Sequence, residues 1–257
     1  MNRFIVFTDI DDTLMTTPRK LTSSEGLAPG AVRPDGKVTS YREPQHQALW
    51  DHLVSKADVA IPVTARSLET YRRLTLAFHA EAVLDFGATV LTTNGLPDTD
   101  WLEKMQAQSA KRQTASLLAT LQGELVAALK LPPAQLTTEL RVSPEGVPCF
   151  LNFRFSVADK PLGAATVLRW LKAQELRSDV YLHESDRDVT LLPLHVSKRA
   201  AVQHVIAHYG YQDDLRIGMG DSLSDVPFMQ ECHFHVLPTP SRAAASLGGI
   251  AYLESTR

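Results

Sequence analysis

The run Phe4-Ile5-Val6-Phe7 breaks off within two positions into Asp9, Asp11 and Asp12, and this junction constrains the fold more than any other stretch. A continuous aromatic and β-branched run of this length suits a strand covered on both faces, as in a parallel sheet. The carboxylates then stand at the strand's carboxyl end, where open α/β sheets bind ligands. Acids this close repel one another and call for a cation or for unequal protonation. Hard carboxylate oxygens suit Mg²⁺, which takes one or two carboxylates and leaves other positions to water and substrate phosphate. For the run alone, a solvated acidic turn is the competing reading.

The same pattern of apolar run and polar tip recurs. Residues 59–63 read as a second buried strand, although Pro62 is awkward in a central one. That strand ends at Thr64-Ala65-Arg66-Ser67, from which a helix is expected to run to about residue 78. A hydroxyl beside the first N–H groups of a helix is an anion site. Residues 215–220 form a further strand ending in Asp221-Ser222-Leu223-Ser224-Asp225, and Lys198 opens the helix that precedes it. Residues 83–88 read as a shorter strand continued by 90–92 and closed by a turn at Asn94-Gly95. Residues 234–237 suit an outer strand, and the tail a last helix followed by a strand at 250–253.

Two segments interrupt this series. Residues 15–42 are rich in Thr, Ser, Pro and Gly, and the turn Arg33-Pro34-Asp35-Gly36-Lys37 between short strands makes them a flap beside the acidic tip or an uninvolved surface hairpin. A helix opened by Pro44 should follow and run to about residue 56. Residues 97–186 then look like a small inserted α+β domain. Its elements are one long helix over 100–130 that ends at Pro132-Pro133, strands at 137–142 and 148–157, a helix over 162–175 and a strand at 179–183. The chain is expected to return to the first domain at 187, through Val189-Thr190-Leu191-Leu192. The reading is therefore a core of residues 1–96 and 187–257 around a 97–186 insert.

Composition narrows the class. With 257 residues and 44% hydrophobic content, two domains are the expectation. A net charge of −3 from 26 basic and 29 acidic residues gives no nucleic-acid surface. Cys149 and Cys232 are far apart and lack metal-type spacing, against a disulfide framework or zinc site. No run has the length of a membrane span, and the N-terminal run is too short for a signal peptide. A cytoplasmic protein, monomer or small homo-oligomer, with no membrane or nucleic-acid partner is expected.

Taken together, Asp9-Ile10-Asp11-Asp12-Thr13, Val63-Thr64, Val196-Ser197-Lys198 and Gly220-Asp221-Ser222-Leu223-Ser224-Asp225 resemble, over essentially the whole chain, the four motifs of the haloacid dehalogenase superfamily of phosphotransferases. The insert between the second and third motifs resembles the family's C2 type of cap, as in Cof-like and sucrose-phosphatase-like enzymes. The fold implied is α/β: a Rossmann-like, doubly wound parallel sheet core carrying an α+β C2 cap.

The resemblance further implies roles. Asp9 would be the nucleophile that forms an aspartyl phosphate, and Asp11 the general acid and base that separates a phosphatase from a dehalogenase. Mg²⁺ would be held by Asp9, Asp11 through its main-chain carbonyl, and Asp221, with Asp225 serving the metal's water shell or orienting Lys198. Thr64 and Lys198 would bind the phosphoryl oxygens. Asp12 stands where Gly is commonest and Arg199 where Gly is frequent; Asp12 suits a turn residue or an added charge. Arg66 is a candidate substrate contact or a helix-face ion pair. In the cap, Asn152 and Arg154 alternate with apolar Leu151, Phe153 and Phe155, which makes them candidate substrate contacts or solvent-facing residues; Arg141 and His183 are lesser candidates. The function implied is a Mg²⁺-dependent phosphomonoesterase on a small phosphorylated metabolite, a sugar or sugar-acid phosphate. The alternatives are a phosphosugar mutase and a non-catalytic binding protein on the same scaffold.

Overall fold

The structure, a computed structural model, describes residues 2–132, 134–156, 160–173, 179–185, 187–239 and 241–245. The strands are β1 (Phe4–Thr8), β2 (Ala28–Val32), β3 (Val38–Arg42), β4 (Val59–Pro62), β5 (Ala82–Leu84), β6 (Thr89–Leu91), β7 (Leu136–Val142), β8 (Pro148–Phe155), β9 (Val180–Glu184), β10 (Asp188–Pro193), β11 (Leu215–Met219) and β12 (Phe234–Val236). The helices are α1 (Pro44–His52), α2 (Leu68–Tyr71), α3 (Thr99–Lys111), α4 (Thr114–Leu129), α5 (Lys160–Ala173), α6 (Lys198–His208) and α7 (Val226–Met229). The chain divides into two compact units, residues 1–101 with 198–257, and residues 102–197.

The first unit is built on a parallel sheet in the order β12-β11-β1-β4, extended past β4 by a parallel bridge between Val63 and Val83. β1 is central, with Ile5, Val6 and Phe7 fully buried, as a strand covered on both faces requires. Connections leave to β4 on one side and to β11 on the other, so the winding changes direction at β1, the place where doubly wound sheets open a crevice at the strand tips. Pro62 is tolerated because of its phase in β4. Val63 donates to Thr8 O toward β1 and Thr64 donates to Val83 O on the other side, so Pro62 faces the side where pairing starts only past it.

Two expectations for this unit change. The helix from Ser67 was expected to reach residue 78, but α2 lasts one turn. Ser67 caps it by accepting Thr70 N–H; then Val32 N donates to Arg73 O and Thr75 N to Gly30 O. The backbone at 73–75 is thus captured by the edge of the β2–β3 hairpin, and tertiary pairing overrides local helical preference. The other edge of that hairpin is stitched to residue 16, by Thr16 N to Tyr41 O and Tyr41 N to Thr16 O, each 2.8 Å. Residues 83–92 do not form one continued strand: Asp85, Phe86 and Gly87 all take positive φ, and β6 folds back antiparallel on β5. The strand expected at 250–253 lies outside the described residues.

The second unit is an antiparallel sheet in the order β7-β8-β10-β9 with α4 and α5 packed on one face. Cys149, Leu151, Phe153 and Phe155 point to that face and are buried, while Asn152 and Arg154 point away. Gly163 lets α5 approach β8: a Cβ there would come within 2.2 Å of the Phe155 ring. The single helix expected over 100–130 is two, α3 and α4, broken where Gln113 adopts a left-handed φ of 50°. The β10 run, expected to re-enter the core at 187, pairs with β8 and β9 instead. Its buried residues Val189 to Pro193 suit either sheet, so hydrophobicity alone could not assign it. The expected ends of β8 at 157 and α5 at 175 lie outside the described residues. Among those residues no helix is long and apolar enough to cross a membrane, and neither Cys149 nor Cys232 is in a disulfide.

Candidate active site

Beyond the tip of β1 the chain turns sharply. Asp9 N still pairs with Met219 O across the sheet at 2.8 Å, and Leu14 N closes a turn on Ile10 O. Asp12 sits in this turn with φ 60°, a conformation Asp tolerates better than most side chains, and its carboxylate pairs with Lys20 at 2.7 Å. The turn role proposed for Asp12 therefore comes with a defined cationic partner.

Lys198, first residue of α6, reaches across to Asp9 Oδ1 at 2.8 Å and to Asp225 Oδ1 at 2.6 Å. All three residues are buried. Asp225 is fixed in turn: its Oδ2 accepts Ser222 N–H at 2.9 Å and the Ser222 hydroxyl at 2.6 Å. The Lys198 ammonium, itself a cation, sits on Asp225 Oδ1, which favours the Lys198-orienting role over a place beside the metal. Gly220 makes this possible, since a Cβ there would lie 2.5 Å from Asp225 Cβ. Phe86, in its left-handed turn, and Phe228 flank the ammonium, each ring centroid 5.9 Å away.

The electrostatics are those of one cation among several acids. Burial alone would push Lys198 down, but Asp225 and Asp9 outweigh it and hold the ammonium above its ordinary range. Burial pushes Asp9 well up; Lys198 opposes this, and Asp225, Asp221 and Asp11 add to it. Asp221 is pushed up to about 7 by burial and by Asp225 and Asp12. Ligand oxygens of Asp9, Asp221 and Asp225 lie within 4.8 Å of one another. A buried, all-oxygen set with uncompensated negative charge fits a hard divalent cation such as Mg²⁺, with Asp9 and Asp221 as its side-chain ligands.

Arg66 answers the question left open by the sequence. Its Nε and Nη2 grip Asp11 Oδ2 and Oδ1 at 2.8 and 2.6 Å, a two-pronged carboxylate clamp. Nη1 donates to Thr70 O at 3.3 Å and Nη2 also to Ser40 Oγ at 3.4 Å, on β3, so the guanidinium ties Asp11 to both α2 and the hairpin. Thr64, buried past the tip of β4, accepts Arg66 N–H on its hydroxyl at 3.1 Å, which leaves its own O–H free to donate.

The structure thus joins Asp9, Lys198, Asp221 and Asp225 in one cluster and Asp11 with Arg66 and Thr64 in an adjoining one. Asn152 and Arg154, in the second unit, belong to a separate network: Arg154 pairs with Asp188 at 2.8 Å, and Asn152 bonds Asp188 and Thr190 at 3.1 and 2.9 Å. Sequence reasoning missed Ser222, Phe86 and Phe228. Only Ser222 carried a signal, as the residue after Asp221.

No family model and no curated protein sequence matches the chain. Solved structures do. A Synechocystis sucrose-phosphatase, solved in complex with sucrose and phosphate, superposes with a TM-score of 0.60 at 16% identity over 99% of both chains. The C-terminal domain of a C. albicans trehalose-6-phosphate phosphatase gives 0.54 at 13% identity, covering 90% of this chain and 73% of that one. A haloacid dehalogenase-like hydrolase from B. subtilis gives 0.52 at 12% identity, covering 93% and 90%. At these identities the likeness is one of fold, and the Rossmann-like core with an inserted cap is the fold expected from the motifs.

Proposed function

We propose that this chain, which has the fold of C2-capped haloacid dehalogenase-like phosphatases, hydrolyses phosphate monoesters of small metabolites through a covalent intermediate on Asp9. One observation carries the reading. Three residues far apart in sequence, Asp9, Lys198 and Asp225, form a buried ion cluster at the tips of two adjacent parallel strands and the start of α6, with Asp221 beside them. A purely structural role fits poorly, because burying charges without compensation is unfavourable, and here acids outnumber the cation.

In this mechanism Asp9 attacks phosphorus in line with the leaving alcohol oxygen, and the P–O bond to that oxygen breaks. Lys198 holds Asp9 in one orientation and, as the phosphoryl group arrives, can pass its hydrogen bonds to the phosphoryl oxygens. The Thr64 hydroxyl donates to the same group. Asp11 gives a proton to the leaving oxygen and later takes one from the water that attacks the aspartyl phosphate. Arg66 grips both Asp11 oxygens in the resting site, so Asp11 must leave at least one prong to carry the proton. Mg²⁺ bound by Asp9, Asp221 and the Asp11 carbonyl would supply charge neutralisation between carboxylate and phosphate.

A sugar or sugar-acid phosphate is the substrate class, supported by two structural neighbours named for sucrose and trehalose-6-phosphate. The inserted unit's polar sheet face, with Asn152 and Arg154, is its proposed recognition surface. The test is phosphate release from a panel of sugar phosphates with Mg²⁺, expected to vanish in Asp9→Asn and on chelation. Isomer interconversion without phosphate release would make the protein a mutase. No turnover of any ester by folded, Mg²⁺-loaded protein would refute the reading.

A further inference from the structure

A second set of metal-type side chains lies in the first unit and shares no residue with the acidic cluster. Asp98, His204 and His208 each place a ligand atom within 4.8 Å of the others. His204 and His208 stand four residues apart on α6 and so share a face, with ring centroids 5.1 Å apart. Asp98 precedes α3 and is nearly inaccessible, at 3% exposure. Its Oδ1 accepts Trp101 N–H at 2.8 Å, an ordinary helix cap. Its Oδ2 accepts the Tyr209 hydroxyl at 2.7 Å and lies 3.2 Å from His204 Nε2.

Capping explains Trp101 and a plain hydrogen bond Tyr209, but neither accounts for His204. Its buried Nε2 faces Asp98 Oδ2 at 3.2 Å without a well-aligned hydrogen bond. Buried polar atoms are ordinarily satisfied, and an ion held between this nitrogen and the Asp98 carboxylate would satisfy both. Metal bonds of about 2.0–2.1 Å to N and O at a tetrahedral ion put neighbouring ligand atoms roughly 3.3 Å apart, close to the 3.2 Å between His204 Nε2 and Asp98 Oδ2. Asp100 Oδ2, 3.5 Å from His208 Nδ1, offers a further oxygen.

We propose that Asp98, His204 and His208 bind a borderline transition-metal dication of the Zn²⁺ type, with Asp100 or water completing the shell. Two imidazoles and a carboxylate suit such an ion, whereas the all-carboxylate cluster suits Mg²⁺. The bound ion clamps the start of α3 to the last turn of α6, the helix that begins at Lys198.

The test strips the full-length protein with chelator, restores excess Mg²⁺ to fill the acidic cluster, and measures Zn²⁺ by equilibrium dialysis. One equivalent is expected to bind and to raise the melting temperature. His208→Ala, at a half-exposed position, should weaken binding about tenfold or more while circular dichroism stays unchanged, and His204→Gln should abolish it. Asp221→Asn should leave Zn²⁺ binding intact. Failure to retain Zn²⁺ under excess Mg²⁺ overturns the proposal. So does binding that is unaltered in both histidine variants, including the case in which Asp221→Asn removes it, since the ion would then belong to the acidic cluster.

Discussion

Replacing Gly220 with alanine tests how the catalytic cluster is held. Gly220 has no left-handed backbone to protect, so its requirement is one of space: the added Cβ would meet Asp225 Cβ at 2.5 Å, Cγ at 2.9 Å and Oδ2 at 3.0 Å. Carbon atoms pack at about 3.5–4.0 Å, so the two backbones must part by roughly 1 Å at the first of these contacts. Asp225 cannot rotate clear, because its Cβ is fixed by the main chain. Displacement lengthens the 2.6 Å bond to Lys198 and the two bonds from Ser222. Overpacking alone costs about 1–3 kcal/mol, and breaking a buried pair by removing one partner about 3–5 kcal/mol. Partial weakening of the pair on top of overpacking gives an expected loss of about 3 kcal/mol. A 1 Å misplacement of Lys198 would also lower kcat/KM by about 100-fold. Urea unfolding and phosphate-release kinetics read the two effects. Gly123→Ala, at an exposed α4 position with open space around it, is the control and should stabilise by about 0.5–1 kcal/mol. If Gly220→Ala stays within about 0.5 kcal/mol of wild type and keeps its activity, Asp225 is not held as argued.

Arg66→Lys retains the charge but loses the fork on Asp11; kcat should fall about tenfold or more with KM nearly unchanged, whereas a dominant rise in KM would show that Arg66 grips substrate instead. In the second unit, His195 has both ring nitrogens buried without hydrogen bonds, and burial and Arg112 lower its pKa to about 4. The unfolded chain protonates this residue near pH 6.5, so between pH 6.5 and 4 the unfolded state binds the extra proton and stability falls as pH falls, by about 3 kcal/mol at pH 4 from the full shift and about 2 kcal/mol once solvent screening of this half-buried ring is discounted. His195→Leu should lack that share of the loss in urea melts at pH 7 and pH 4.5, and parallel losses in variant and wild type would contradict it.

The acidic cluster was legible in the sequence because its geometry is nearly local. A buried strand places Asp9 at a tip whatever the rest of the chain does, and the tight turn after β11 fixes Asp221 and Asp225 relative to each other. Lys198 was legible only through motif resemblance, since its contacts to Asp9 and Asp225 span 189 and 27 residues. The choice of Asp11 as Arg66's partner was not readable, because the pair depends on how β1 and β4 align, and spacing along either segment says nothing of it. Local propensity erred where distant backbone intervened: α2 stops because residues 73–75 pair with the β2 edge. The entry of β10 into the second sheet was equally hidden, as Val189, Leu191 and Leu192 would fill either core.

The central claim is that Asp9 carries the phosphoryl group. The direct measurement mixes the Mg²⁺-loaded protein with an accepted sugar phosphate, quenches in acid during turnover, and maps the modified peptide by mass spectrometry. A hydroxylamine-labile phosphoryl group on Asp9, absent in Asp9→Asn, is the predicted result. Phosphate release by Asp9→Asn at the wild-type rate, with no phosphorylated peptide in either protein, would contradict it.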